Sequence, residues 1–413
     1  MCQHEESCNV ERLALGNHPI SDNKRPNDVS GGGGLVLEPK VRTEQANAST
    51  VQLAELITQI GPEIPEISRR LGQFKESVRY RYNEKILGKG IAVQAAIDHE
   101  KLGLRRIVFI VEFAAEYERY AQSILIAMSD LCYVAGFELT MPEGSYMVNA
   151  SVPEEFVGQY SEFLRALEEK GLFRCVKILA FDWFRTVPMR AKFYDFDTGR
   201  WDFDWSNPGK PEVWEYKPSE RKRFDYTDLL IVKELRIDAT KPIKEMAEKF
   251  GIGYKKLAWH YNTHVKQRRL IRGYTLNWMG TRYDFKLEKA LHRTHRYFAI
   301  DMLAEGLSQV ERMELMAKSN SLPFLWAEAG GENYWAQFVF PLDNMVEAYQ
   351  YVTSAVRPVR DRVRLMVVDQ TNALSFTISY KLFDEKRRAW AFNQEELLGK
   401  FGDLLLKIRQ GAS

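Results

Sequence analysis

The chain has 413 residues, of which 45% are hydrophobic and 28% charged, with 58 basic and 56 acidic side chains giving a formal net charge of +2. That length exceeds one ordinary domain and allows several cores, while the near-balanced charge excludes a whole-molecule field that would draw the protein to nucleic acid or a membrane. No apolar run is long enough to cross a bilayer, and the start lacks the basic and apolar regions of a signal peptide, so a cytoplasmic protein is expected.

Residues 1–48 are polar, contain Gly31–Gly34 and show no sustained apolar period, which predicts a flexible leader. Short helices follow in 49–92. A first body, 93–205, reads as the strand Arg105–Phe113, a helix from Ala121, a hairpin over Tyr133–Val152, a helix opened by Pro153 and Glu154, and a strand from Arg174. Pro- and Gly-rich 206–223 reads as a linker. A second helical segment, 224–275, precedes a second body, 276–393, with the strand Arg296–Leu303, a helix, a hairpin over Pro323–Phe340, a helix opened by Pro341 and a strand from Arg362. An amphipathic C-terminal helix, 394–413, places Leu397, Leu398, Phe401, Leu404 and Leu405 on one face. The order βαββαβ occurs twice and describes an α+β fold with two ferredoxin-like bodies, each behind a helical head.

The duplication is visible in the residues. "IPEISRRLGQFKESVRYRYN" (Ile64–Asn83) aligns with "IKEMAEKFGIGYKKLAWHYN" (Ile243–Asn262), sharing Ile64/Ile243, Glu66/Glu245, Gly72/Gly251, Tyr82/Tyr261 and Asn83/Asn262. Downstream, Lys192–Asp204 aligns with Lys381–Asn393 through Lys192/Lys381, Asp195/Asp384, Trp201/Trp390 and Phe203/Phe392. In the second head, Ile243, Met246 and Ala247 form an apolar face, Gly251 permits a left-handed exit, and a new helix starts at once. A helix, a glycine turn and a second helix is the helix-turn-helix arrangement, whose second helix can enter a major groove.

Phe224–Tyr274 resembles the leucine-responsive/asparagine-synthetase-regulator (Lrp/AsnC) family of transcription regulators, through Asp225, Asp228, Leu235, Asp238, Ile243, Ala247, Gly251 and "LIRGY". Gly88–Leu104 is similar to the family's wing and the link after it. The resemblance implies two winged helix-turn-helix heads, each followed by a ferredoxin-like body, where family members carry one of each and pair as dimers. It implies contact with double-stranded DNA by Tyr254, Lys255, Lys256, Trp259 and His260 of the second copy, and by Gln73, Phe74, Lys75, Ser77, Arg79 and Arg81 of the first. Arg69, Arg70, Lys266, Arg268, Arg269 and Arg272 are placed to neutralise phosphates. A small-molecule effector is implied at Gly144, Ser145 and Tyr146 and at Gly330, Gly331, Asn333 and Tyr334, although neither copy has the family's aspartate there; bare hairpin turns are the alternative. Partners are then DNA, an effector, and a second chain as homodimer or an intramolecular pseudo-dimer; a nucleoid-associated location follows.

Other motifs carry less. His260 and His264 have the spacing of a metal clamp, but no third ligand stands nearby, and His292 with His295 reads as a polar loop. Cys132 and Cys175 read as buried thiols, and Cys2 and Cys8 make no CxxC pair with anything. The aromatic "DFDTGRWDFDW" and its duplicate suit a structural interface. No catalytic residue, metal or cofactor is expected, and the leading reading is a DNA-binding regulator that is not an enzyme. The alternatives are a siroheme-type decarboxylase, since those enzymes use the same head and body with His and Arg around a tetrapyrrole, or a scaffold with degenerate heads.

Overall fold

The structure is a computed structural model and describes residues 39–210, 214–279, 281–284, 289–292 and 296–409. Most of the expected leader with Cys2, Cys8 and Gly31–Gly34, as well as His295 and residues 410–413, lie outside the described residues. Helix α1, Pro39–Ile60, begins within the segment expected to be leader, because "TEQANASTVQLAELITQ" is rich in helix formers. Helices α2 (Ile64–Leu71) and α3 (Lys75–Arg81) follow, and Gly72 between them sits at φ 61°, a conformation that favours glycine. Strand β1 (Ala92–Ile97) leaves this head.

The first body is β2 (Leu104–Phe113), α4 (Ala121–Leu131), β3 (Val134–Met141), β4 (Tyr146–Pro153), α5 (Val157–Glu169) and β5 (Phe173–Phe181). A short strand β6 (Trp183–Thr186) and a small hairpin, β7 (Tyr194–Asp195) with β8 (Arg200–Trp201), complete it. The second copy repeats the plan. Its head is α6 (Tyr226–Ile237), α7 (Ile243–Phe250) and α8 (Tyr254–Trp259), with Gly251 at φ 64°, and ends in β9 (Ile271–Asn277). Strands β10 (Thr281–Asp284) and β11 (Lys289–His292) pair with one another. The body follows as β12 (Tyr297–Ala304), α9 (Gln309–Ser321), β13 (Leu325–Gly330), β14 (Tyr334–Pro341), α10 (Met345–Val356) and β15 (Val363–Phe376). A second hairpin, β16 (Phe383–Asp384) with β17 (Ala389–Trp390), and α11 (Gln394–Arg409) end the described chain.

The two copies interlock, and residues 43–413 form one compact unit. Strands β1 and β9 pair antiparallel, so the two heads share a ribbon. The two bodies share one sheet in the order β5-β2-β4-β3-β15-β12-β14-β13-β6. Only Asp182 separates β6 from β5, so the ladder returns to the strand from which it started. The two ends of the ladder are thus joined through the chain, and each strand has one face toward the crevice described below and one away from it.

The hairpins cross between copies. The Trp201 indole donates to Tyr297 Oη at 3.1 Å in the second body, and Trp390 donates to the Leu102 carbonyl at 2.8 Å beside the first. These are the aromatic positions that the duplication singled out, and both serve as interface. Helix α11 buries Leu397, Phe401 and Leu405, with Phe401 against Phe163 of α5, while Leu398 and Leu404 are half-buried. Part of the expected linker is strapped down: Trp214 and Tyr216 lie against Trp183, and the Ser219 N–H donates to Glu100 at 2.8 Å. Cys132 is buried as expected, whereas Cys175 is exposed near the start of β5, beside the register shift at Glu112 and Phe113.

Candidate functional site

Where β3 of the first body meets β15 of the second, the inner face opens into a narrow crevice of about 90 Å³. Arg106 on β2 lies opposite Ser151 on β4, and Val108 opposite Asn149. Because alternate residues of a strand share a face, Arg106, Asn149 and Ser151 all point inward, and Glu138 joins them from β3. The second body contributes Trp326, Trp335 and Gln337, and the strap strand β6 adds Phe184 and Thr186. From the heads come His99, just past β1, and Arg236, in the last turn of α6. An adjoining space is also lined by Glu138, Arg236, Trp326 and Gln337, with Gln94 and Asn277 from the paired ribbon strands.

The lining is polar, buried and incompletely hydrogen-bonded. Among the described residues no partner is found for His99 Nδ1, Arg106 Nε, Glu138 Oε2, Asn149 Oδ1, Ser151 Oγ or Asp301 Oδ2. Buried polar groups are nearly always paired, so such a concentration marks a place built to receive something. Gln337 Nε2 donates to Glu138 Oε1 at 2.8 Å and Trp335 Nε1 donates to Asp301 Oδ1 at 3.1 Å. Burial pushes the Glu138 carboxyl up to about 7, against the opposing pull of Gln337. Asp301 is driven well above the usual carboxylate range, first by burial and then by the proximity of Glu138. Two carboxyls this close in a dry interior resist ionising together, and one holds a proton at neutral pH.

The bases are shifted the other way. Burial and then Arg106 hold the His99 imidazole well below its ordinary range, so it is neutral. Burial, with Arg236 nearby, pulls the Arg106 guanidinium down to about 9, which leaves it charged at neutral pH, and its Cζ lies 3.9 Å from the Phe184 ring centre. The crevice therefore combines two guanidinium groups, a neutral imidazole, a protonated acid and aromatic walls. That set can bind carboxylates, exclude water and deliver a proton.

None of these residues was singled out in the sequence. Their signal was a lone charge inside an apolar strand, as with Glu138 in "AGFELTM" and Asp301 in "FAIDML", which a solvent-facing strand does not explain.

The residues expected to touch DNA divide. Tyr254, Lys255, Lys256 and Trp259 are exposed on and beside α8, and Phe74, Lys75, Ser77 and Arg79 are exposed on and beside α3. His260 is different: only 5% exposed, it faces inward with Nδ1 2.8 Å from Asp228 Oδ1, so it does not present itself to a groove. Arg81 is half-buried and donates to Gln73 Oε1. Arg272 is held between Asp98 and Glu100, each at 3.0 Å, and is not a free phosphate contact. Arg268 donates to the Arg223 carbonyl, Lys266 pairs with Glu63 at 2.6 Å, and Arg69 and Arg70 both bind Glu66, while Arg269 is exposed.

The expected effector turns also differ from expectation. A Cβ on Gly330 would meet Trp183 at 2.4 Å and one on Gly331 would meet Asp182 at 2.7 Å, so that turn is filled by the first body's strap. Tyr334 is buried and its hydroxyl donates to Glu328 at 2.8 Å, with Asn333 half-buried beside it. Gly144 has open space around it, yet Ser145 is fully buried against Thr140 and Tyr146 packs edge-on against Phe113.

No family model and no curated protein matches the chain. Solved structures do. The siroheme decarboxylase NirDL is similar at 12% identity and a TM-score of 0.49, over 86% of this chain and 99% of its own. Its co-complex with an iron-uroporphyrin III analogue is similar at 11% identity and a TM-score of 0.47, over 88% and 100%. AsnC of E. coli is similar at 16% identity and a TM-score of 0.27, over 33% of this chain and 91% of its own. Regulators of the AsnC kind thus match a third of the chain. The expectation of a chain without enzymatic activity is corrected here, since the structures that span most of it are those of an enzyme.

Proposed function

We propose that the chain is an enzyme that removes carboxyl groups from a carboxylated iron tetrapyrrole of the siroheme class, in the crevice between its two bodies. The observation that carries this reading is the buried, unpartnered set of His99, Arg106, Glu138, Asn149, Ser151 and Asp301. Arg106 and Arg236 suit the peripheral carboxylates of such a substrate, because a guanidinium holds a carboxylate bidentately. Phe184, Trp326 and Trp335 offer flat apolar surface to a macrocycle. In the reaction the bond between a methylene carbon and its carboxyl carbon breaks, carbon dioxide leaves, and the electron pair stays on the methylene carbon. That carbon then takes a proton, for which the Glu138 and Asp301 pair is the source. Aromatic walls dry the reacting carboxylate, and loss of its concentrated charge is easier without water. Neutral His99 has a free Nδ1 and is in the form that ligates iron.

The test is a titration of the full chain with iron uroporphyrin III and with siroheme, followed by visible absorption and mass spectrometry. Saturable spectral change and loss of carbon dioxide from siroheme are expected; neither occurring in the purified chain would remove this reading.

Exposed Lys255, Lys256 and Tyr254 favour a second reading, a DNA-binding regulator with a small effector and two winged helix-turn-helix heads over 49–92 and 224–275. Pairing of β1 with β9 supports a pseudo-dimer within one chain as the arrangement of those heads. Anisotropy titrations on genomic fragments at two salt concentrations decide it: Lys255→Ala/Lys256→Ala is expected to weaken binding and flatten its salt dependence, and an unaltered curve excludes the second head.

A further inference from the structure

Beneath α8 lies a second polar cluster, at the opposite end of α6 from Arg236. Asp225 and Asp228 come from the start of α6, and His260 and His264 from the widened helical turn over His260–Lys266 that continues α8. Four ligand atoms, one from each side chain, lie within 4.8 Å of one another. His260 Nδ1 is 2.8 Å from Asp228 Oδ1 and 3.7 Å from Asp225 Oδ1, and His264 Nδ1 is 3.0 Å from Asp228 Oδ2. Asp228 is fully buried and His260 nearly so, whereas Asp225 is 35% exposed and leaves a way in from solvent.

We infer that Asp225, Asp228, His260 and His264 form a site for one divalent transition-metal ion of the zinc class, which ties the second head's probing helix to the helix that supports it. The ligand types are those a tetrahedral zinc ion accepts, and bonds of about 2.0–2.2 Å place neighbouring ligand atoms roughly 3.3–3.5 Å apart. The separations in this cluster run from 2.8 Å up to 4.8 Å and straddle that range, so an ion draws the farthest ligands together by roughly an ångström. In the metal-free protein each Nδ1 lies within hydrogen-bond distance of Asp228. A neutral imidazole that ligates through Nδ1 carries its proton on Nε2. Position selects the pair as well: four residues apart, both imidazoles share the face toward α6, and Trp259 covers them, with its ring centre 4.6 Å from that of His264. Spacing alone had left this pair without a third ligand. The fold brings two, from a segment 32 residues before His260.

The experiment uses the full chain stripped with a chelator and titrated with cobalt(II) and then zinc(II). One equivalent of cobalt is expected to give the intense visible bands of a tetrahedral complex, which zinc displaces. His264→Gln, whose amide can still bond to Asp228, and His260→Gln are each expected to weaken binding on the order of 100-fold while circular dichroism is unaltered. Weak octahedral bands, no retained ion, or equal affinity in the His260→Gln/His264→Gln chain overturns the site. Should a variant unfold, the wild-type cobalt spectrum decides alone, because coordination geometry is read from it directly.

Discussion

The same rungs of the two bodies carry different chemistry. Leu104 lies opposite Pro153 in the first sheet as Tyr297 lies opposite Pro341 in the second, which sets the two ladders in register. On that register Arg106 and Ser151 of the first body correspond to Ala299 and Val339 of the second, while Val108 and Asn149 correspond to Asp301 and Gln337. Glu138 opposite Met147 corresponds to Ala329 opposite Trp335. A symmetric dimer of identical chains would present both guanidinium and acid twice across its axis. By duplicating the unit within one chain, the protein places the cation in one half and an acid in the other, and the crevice on the axis becomes one-sided. The heads diverge in the same way: at the positions of Asp228, His260 and His264 the first copy has Ser49, Arg81 and Lys85, which bond to Gln73, again to Gln73, and to Asp197.

The comparison can be broken most strongly at the reciprocal hairpins. Trp390 is 3% exposed and fixed to the Leu102 carbonyl, while Trp201 is half-buried on Tyr297. Trp390→Ala is expected to cost about 3–5 kcal/mol and Trp201→Ala less, by thermal or urea unfolding. Equal costs would mean that burial does not distinguish the two copies here.

Glu138 gives the next effect, through pH. Its carboxyl is raised from an ordinary value of 4.5 to about 7 in the folded chain, so the fold favours the protonated form. A raised acid contributes stability that is fully present below the unfolded value and is lost as pH rises through the folded one. Wild-type stability is therefore expected to fall between about pH 4.5 and pH 7 by up to a few kcal/mol, at roughly 1.4 kcal/mol per unit. Glu138→Gln should remove most of that slope, and Ala329→Gln, on the matching rung, should leave it. A Glu138→Gln chain with the wild-type slope would assign the titration to Asp301.

Arg106→Gln is expected to weaken binding of iron uroporphyrin III by about 10- to 100-fold, the range for losing one charged hydrogen-bonded contact, as read by visible titration. Lys255→Ala/Lys256→Ala serves as the control that leaves this affinity alone, because both lysines lie exposed on the second head.

Much of the architecture was legible before any coordinates. The twofold βαββαβ order follows from apolar periodicity broken by Gly and Pro, and Gly251 was legible as a helix exit because two short helices abut there, with Gly72 aligned to it. The aligned Trp201 and Trp390 pointed to interface for the same reason, since large aromatics kept at matching places in a duplicated unit have a surface to bury. The site was not legible. Periodicity assigns a residue to a face, but not to the sheet that will close over it, and Arg106, Glu138 and Asp301 meet only because β3 pairs with β15. His260 was misread for a related reason. It lies three residues after buried Leu257, next to the inward face, but only the packing of α6 supplies the Asp228 that holds it there.

The smallest effect concerns the two hairpin bends. Gly330 is packed under Trp183, where a Cβ would stand 2.4 Å from the ring, so Gly330→Ala forces the strap strand to move. Overpacking of that kind costs typically about 1–3 kcal/mol. Gly144 has nothing within 4 Å but sits at φ 71°, so Gly144→Ala meets only backbone strain, roughly 1 kcal/mol. The first bend faces open space and the second is sealed by its neighbour. Iron uroporphyrin III affinity should fall in Gly330→Ala, because β6 carries Phe184 and Thr186 into the crevice, and should hold in Gly144→Ala. If both variants bind it equally well, the strap does not shape the crevice and the substrate lies wholly against the β3–β15 seam.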